Sequence, residues 1–201
     1  MTNTYTPEPI TVEPTNPATD NYPFWGEKIL TGRDWTNGDH FEFKLVAVDG
    51  APLIDGLAAP YIPTKVEYTE GGIPAEKPVP FSFGKITFTK PGTYVYNITE
   101  NIPTGNGDKI AGVSYDSSFY RVTVTITDDG SGQLKMKTPV IKHIFGDDTS
   151  ENATTVTFTN TFKDDIETLN IEATKVYEYN DENNDKKPMD LAYGQFHFKL
   201  E

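Results

Sequence analysis

Apolar and polar residues alternate with a period of two along most of this chain, and no stretch carries the 3.6-residue period of an amphipathic helix. Phe41-Glu42-Phe43-Lys44-Leu45-Val46 places Phe41, Phe43 and Leu45 on one side. Residues 120–127 repeat the pattern, with Tyr120, Val122, Val124 and Ile126 inward and Arg121 and the threonines outward. The turn Asp128-Asp129-Gly130-Ser131-Gly132 then returns the chain through Gln133-Leu134-Lys135-Met136, which predicts a hairpin. Further strands are predicted at 24–30, 85–88, 94–100, 140–145 and 156–162, with a turn at Lys90-Pro91-Gly92. The Pro/Gly-rich stretch 51–80 predicts one irregular strand near Lys65-Val66-Glu67-Tyr68, and Ile10-Thr11-Val12 a short one in an otherwise extended lead-in. Short strands at this spacing predict an antiparallel β-sandwich.

Three polar residues break the alternation. Lys28 shares a face with Phe24 and Leu30, Glu100 with Tyr94, Tyr96 and Ile98, and Asn160 with Phe158 and Phe162. An amine, a carboxyl and a carboxamide turned separately into one core are each costly. Together they suit a self-reaction. A desolvated neutral amine attacks an amide carbonyl that a protonated acid polarises, leaving a Lys–Asn isopeptide bond and free ammonia.

The pattern also repeats. Glu27-Lys28-Ile29 followed by Phe41-Glu42-Phe43-Lys44-Leu45 matches Thr174-Lys175-Val176 followed by Phe196-His197-Phe198-Lys199-Leu200. The two lysines lie 175 − 28 = 147 residues apart, about one domain length. The second copy ends after its second strand, without a Glu or an Asn strand, so it reads as a tandem array cut mid-repeat. Three segments are expected: a lead-in over 1–19, one sandwich over 20–163, and the truncated start of a second repeat over 164–201. Two strands are marginal on their own, so Lys175 is a candidate cross-link lysine expected to stay a free amine here.

Composition narrows the function. With 17 Lys and Arg against 30 Asp and Glu the net charge is −13, which argues against nucleic acid as a partner. Phosphate-binding glycine motifs are missing. The absence of cysteine removes disulfides and thiolate metal sites. His40, His143 and His197 lack metal-type spacing, and the acidic run Asn180-Asp181-Glu182-Asn183-Asn184-Asp185 lacks the calcium-loop pattern, so a solvated loop is expected. No apolar run reaches the 18 or so residues that span a bilayer, and Met1-Thr2-Asn3-Thr4-Tyr5 carries no apolar secretion core. No His–carboxylate–nucleophile set is visible, so no enzyme beyond a single-turnover self-cross-linking is expected, with no cofactor and no metal.

At Lys28-Ile29-Leu30-Thr31-Gly32-Arg33-Asp34, Gly92-Thr93-Tyr94-Val95-Tyr96-Asn97-Ile98-Thr99-Glu100, Gly112-Val113-Ser114-Tyr115-Asp116 and Val156-Thr157-Phe158-Thr159-Asn160-Thr161-Phe162, the chain resembles the streptococcal-type pilin isopeptide-linkage domain. That repeat builds Gram-positive pilus shafts and adhesin stalks, and the resemblance covers roughly residues 20–163. It implies an all-β, immunoglobulin-like (CnaB-like) sandwich, with Lys28 as the amine, Asn160 as the acceptor and Glu100 as the catalytic acid. It further implies an extracellular, cell-wall-anchored stalk whose partners are neighbouring repeats of the same chain, other domains meeting any host-surface ligand. Lys175-Val176-Tyr177-Glu178-Tyr179-Asn180-Asp181 departs from the Leu-Thr-Gly-Arg element of the first copy. A second reading makes the sandwich a ligand-binding adhesin domain for a glycan or host protein, using Trp25, Trp35 or the 51–80 stretch.

Overall fold

Alternating burial carries the fold from sequence to sheet. The computed structural model describes residues 5–14, 23–57, 64–105, 108–146, 149–164 and 178–188. They fall into two units, Met1–Asp165 and Ile166–Glu201. In chain order the first runs β1 (Ile10–Val12), β2 (Trp25–Thr31), β3 (His40–Val48), β4 (Thr64–Glu67), β5 (Val79–Ser82), β6 (Ile86–Phe88) and β7 (Gly92–Glu100). It continues with β8 (Val113–Ser114), β9 (Phe119–Asp128), β10 (Leu134–Met136), β11 (Val140–Phe145), β12 (Thr149–Ala153) and β13 (Thr157–Phe162).

Two sheets form an all-β, immunoglobulin-like sandwich. One has the order β5-β2-β13-β8; the other runs β12-β11-β9-β7-β3-β4, with β10 also paired to β9. Pairing is antiparallel except between β2 and β13, in chain order the first and last strands of their sheet, which lie parallel with Lys28 opposite Phe158 and Asn160 opposite Leu30. A parallel neighbour requires a long crossover, and here nearly the whole domain supplies it. Between the sheets, Phe43 stacks on Phe81 at 3.8 Å, and Phe158 packs against both Phe43 and the edge of Tyr120. Such aromatic pairs add about 0.5–1.5 kcal/mol each beyond the area they bury.

Several expectations change. Ile10-Thr11-Val12 pairs with β6 and buries Val12, and Tyr5 bonds to Asp128, so part of the lead-in belongs to the sandwich. The Pro-rich stretch yields β5 as well as β4. Pro80 is tolerated because β5 is an edge strand and its ring faces solvent. Strand β12, Thr-Ser-Glu-Asn-Ala, has no buried residue and therefore no alternation to betray it. In the second unit, β14 (Glu178–Asn180) pairs with β15 (Lys186–Pro188). Asp181 closes their loop by accepting the Asn183 and Asp185 N–H groups, which makes the acidic run turn chemistry. Lys175, His197 and the expected strand at 196–200 lie outside the described residues.

Candidate functional site

Strand parity brings the three misfit residues to one place. On β2, Lys28 points inward between Gly26 and Leu30, and no part of it reaches solvent. Gly26 is required beside it, because a Cβ there would lie 2.5 Å from the Phe81 ring and 2.7 Å from the Val156 carbonyl. Asn160, also fully buried, projects from β13 on the same side, two residues beyond the partner of Lys28. Glu100 ends β7 in the facing sheet, opposite Phe43, with its side chain 1% exposed.

Glu100 bridges the other two. Lys28 Nζ donates to Oε2 at 2.8 Å, and Asn160 Nδ2 donates to Oε1 at 2.7 Å. The amine sits 4.5 Å from the centre of the Phe41 ring, itself packed edge-on against Trp35 and Tyr115. The opposite end of the carboxamide, Asn160 Oδ1, accepts the main-chain N–H of Asp116 at 2.8 Å. That N–H is a fixed donor, so the amide must present its oxygen to Asp116 and its nitrogen to Glu100.

Burial sets the protonation. It lowers the Lys28 pKa to about 8, although the Glu100 charge and hydrogen bond pull it upward. Burial likewise pushes Glu100 above the usual carboxylate range against the opposing influence of Lys28 and Asn160. Leaving two full charges in such a site costs several kcal/mol per ion. Moving one proton across the 2.8 Å contact removes both charges. A neutral amine beside a neutral acid is then accessible at neutral pH.

All three residues expected from the sequence therefore share one contact network, with one difference in detail. Glu100 accepts from the amide nitrogen, and the carbonyl oxygen meets the Asp116 main-chain N–H rather than Glu100. Asp116 carries no side-chain signal as a site residue, because its contribution to Asn160 is a main-chain group. Its carboxylate accepts the N–H groups of Ser118 at 2.9 Å and Thr159 at 3.1 Å. Trp35 is buried against Phe41, so it offers no glycan platform. Asp128 and Asp129 each accept an N–H from their own turn. Among the described residues, no cluster of His, Cys, Asp and Glu is arranged to hold a metal, and no helix is long and apolar enough to cross a membrane.

A buried amine, acid and carboxamide strung across two sheets of a β-sandwich mark the kind of domain that isopeptide chemistry uses. The family model FctA, the Spy0128-like isopeptide containing domain, matches residues 24–163, and the chain belongs to that family. It is similar to the curated "Pilin" of Streptococcus pyogenes serotype M1, 35% identical over 107 residues, which is 52% of this chain and 27% of that protein. The solved major pilin of Streptococcus pyogenes is 26% identical, with a TM-score of 0.44 over 69% of this chain and 50% of that one. The major pilin protein T3.2 of serotype GAS13637 gives 22%, a TM-score of 0.47, and coverage of 69% and 51%. The chain thus spans about a quarter of the curated relative's length and about half of these solved pilins.

Proposed function

We propose that this chain is a structural stalk module of a Gram-positive cell-surface pilin, stabilised by an autocatalytic isopeptide bond between Lys28 and Asn160 that Glu100 assists. The observation that carries this reading is the Glu100 bridge, whose two oxygens reach the attacking amine and the departing nitrogen at 2.8 and 2.7 Å inside a closed core. Burial supplies the neutral amine, and the same exclusion of water favours aminolysis over hydrolysis. The domain reacts once and only with itself, so it is not a turnover enzyme. Cell-wall anchoring, an extracellular location and assembly with neighbouring pilin repeats are drawn from its similarity to pilins.

The bond closes a loop of 160 − 28 = 132 residues. Because it links the first and last strands of one sheet in chain order, a chain pulled from its ends would carry tension from β2 directly to β13. Intact mass decides the reading. The wild-type chain should weigh one ammonia less than its sequence, whereas Lys28→Ala, Asn160→Ala and Glu100→Ala should each keep it. Hydrolysis of Asn160 would instead replace the lost ammonia with water. A wild-type chain at its full sequence mass would sink the proposal.

A further inference from the structure

The Asn160 carboxamide is gripped at both ends, and the grip on its oxygen has a second tier. Asp116 points its main-chain N–H at Asn160 Oδ1, 2.8 Å away. Its own carboxylate is pinned by Ser118 N–H on one oxygen and by Thr159 N–H on the other. Thr159 immediately precedes Asn160. The Asp116 side chain therefore clamps the acceptor strand to the very N–H that meets the acceptor side chain.

Resting on the cross-linking reading above, we propose that the Asp116 main-chain N–H is the oxyanion donor of the reaction and that the Asp116 carboxylate is the positioning group that aims it. The neutral Lys28 Nζ places its lone pair on Asn160 Cγ, and the carbonyl π pair moves onto Oδ1, where the Asp116 N–H already points. Glu100, protonated, delivers its proton to Nδ2 and recovers one from the newly bonded Nζ. The Cγ–Nδ2 bond breaks, and its electron pair leaves on ammonia. One C–N bond forms and one breaks, nothing is oxidised, and Glu100 ends as it began. Without the N–H the amide would keep its Glu100 contact but lose the fixed donor at its oxygen, and its orientation would be less sharply set.

The cleanest test removes that N–H alone. The full chain is made by cell-free translation with the α-hydroxy-acid analogue of aspartate at position 116, which replaces the amide by an ester and keeps the carboxylate. Cross-linking is followed by intact mass against time. Loss of one preorganised oxyanion donor should slow ammonia release about 10²–10³-fold. The pH optimum should stay where it was, because the N–H does not titrate, whereas a merely loosened core would return Lys28 and Glu100 toward their ordinary values. Asp116→Ala should be slowed comparably. Asp116→Asn keeps one acceptor oxygen and should recover part of the rate, to about tenfold below wild type. A wild-type chain that cross-links and an ester chain within about threefold of it would overturn the assignment alone. If the ester chain does not fold, Asp116→Asn decides, and a wild-type rate there overturns the role of the carboxylate. A wild-type chain that keeps its ammonia overturns the parent reading and this one with it.

Discussion

Two cation–carboxylate pairs whose cations lie 33 − 28 = 5 residues apart in sequence have opposite characters. Arg33 donates to Asp39 through both arms of its guanidinium, at 2.5 and 2.9 Å, and Thr36 adds its N–H and hydroxyl to the same carboxylate. Burial pushes Asp39 upward, but the bonds from Arg33 and Thr36 outweigh it and hold the carboxyl below its usual range. Lys28–Glu100 is just as close, yet there burial prevails and drives both groups toward neutrality. The difference lies in solvation. The Arg33 side chain keeps 20% of its surface in water and a forked donor satisfies both oxygens, whereas Lys28 is a point donor with none of its surface exposed. A pair that keeps its charges holds a turn in shape; a pair pushed toward neutrality is poised for the proposed reaction.

Mechanical load should separate the two sites most widely. Under single-molecule pulling the wild-type chain should never release the 132 residues between Lys28 and Asn160. At about 3.4 Å per residue, Asn160→Ala should add roughly 450 Å of extension on unfolding. Arg33→Ala should add none. A wild-type chain that extends fully before rupture removes the covalent load path.

Heat comes next. By loop entropy, closing so long a loop contributes about 5 kcal/mol, and in a domain of this size that is about 10–20 °C in melting temperature. Calorimetry of Lys28→Met, which removes the amine while nearly conserving volume, should show a drop of that order. Equal melting would mean that the bond is absent or irrelevant to stability.

Breaking the structural pair should do less. Arg33→Ala leaves Asp39 buried without its fork and should cost about 2 kcal/mol, less than the roughly 3–5 kcal/mol of a fully buried pair, while ammonia loss stays complete. Asp39 has a lowered folded pKa, so its stabilisation is full above the ordinary carboxylate value and is lost as pH falls through the lowered one. The stability gap between wild type and Asp39→Asn should therefore close in acid, below about pH 4. A gap independent of pH would contradict the charged assignment.

The smallest effect is the shape of a pH profile. Lys28 and Glu100 titrate as a pair that reacts while it holds one proton. The cross-linking rate should fall in acid as the pair takes up a second proton, and again above about pH 8 as it loses the last. In the uncross-linked Asn160→Ala chain, the lysine pKa lies lower folded than unfolded. That chain should gain stability as pH rises from about 8 toward the ordinary lysine value, a window in which Arg33–Asp39 contributes no change. Flat profiles from pH 5 to 10 would show that the buried pair does not govern the reaction.

Much of this was legible in the residues, for identifiable reasons. Lys28, Glu100 and Asn160 stood out because a strand allows only two faces, and a polar residue among Phe, Tyr, Ile and Leu on one face has nowhere else to point. The inward runs of β3 and β9 were readable on the same grounds, and their residues are buried as alternation requires. Strand β12 left no trace because all its side chains are wholly or partly exposed, and β5 was masked by its edge proline. Asp116 was invisible as a site residue, since any amino acid but proline supplies a main-chain N–H, and its target lies 44 residues further on.

The sequence alone determined which side chains must enter the core, because period-two burial is a local property of each strand. It also determined that they form a set of amine, acid and amide. Tertiary structure decided the rest. Whether Lys28 and Asn160 meet depends on a parallel register between strands some 130 residues apart. Which end of the carboxamide faces Glu100 depends on an N–H delivered by a loop from elsewhere. The same kind of pair stays charged at Arg33–Asp39 and is pushed toward neutrality at Lys28–Glu100, because desolvation depends on everything packed around a group and cannot be read from its neighbours in the chain.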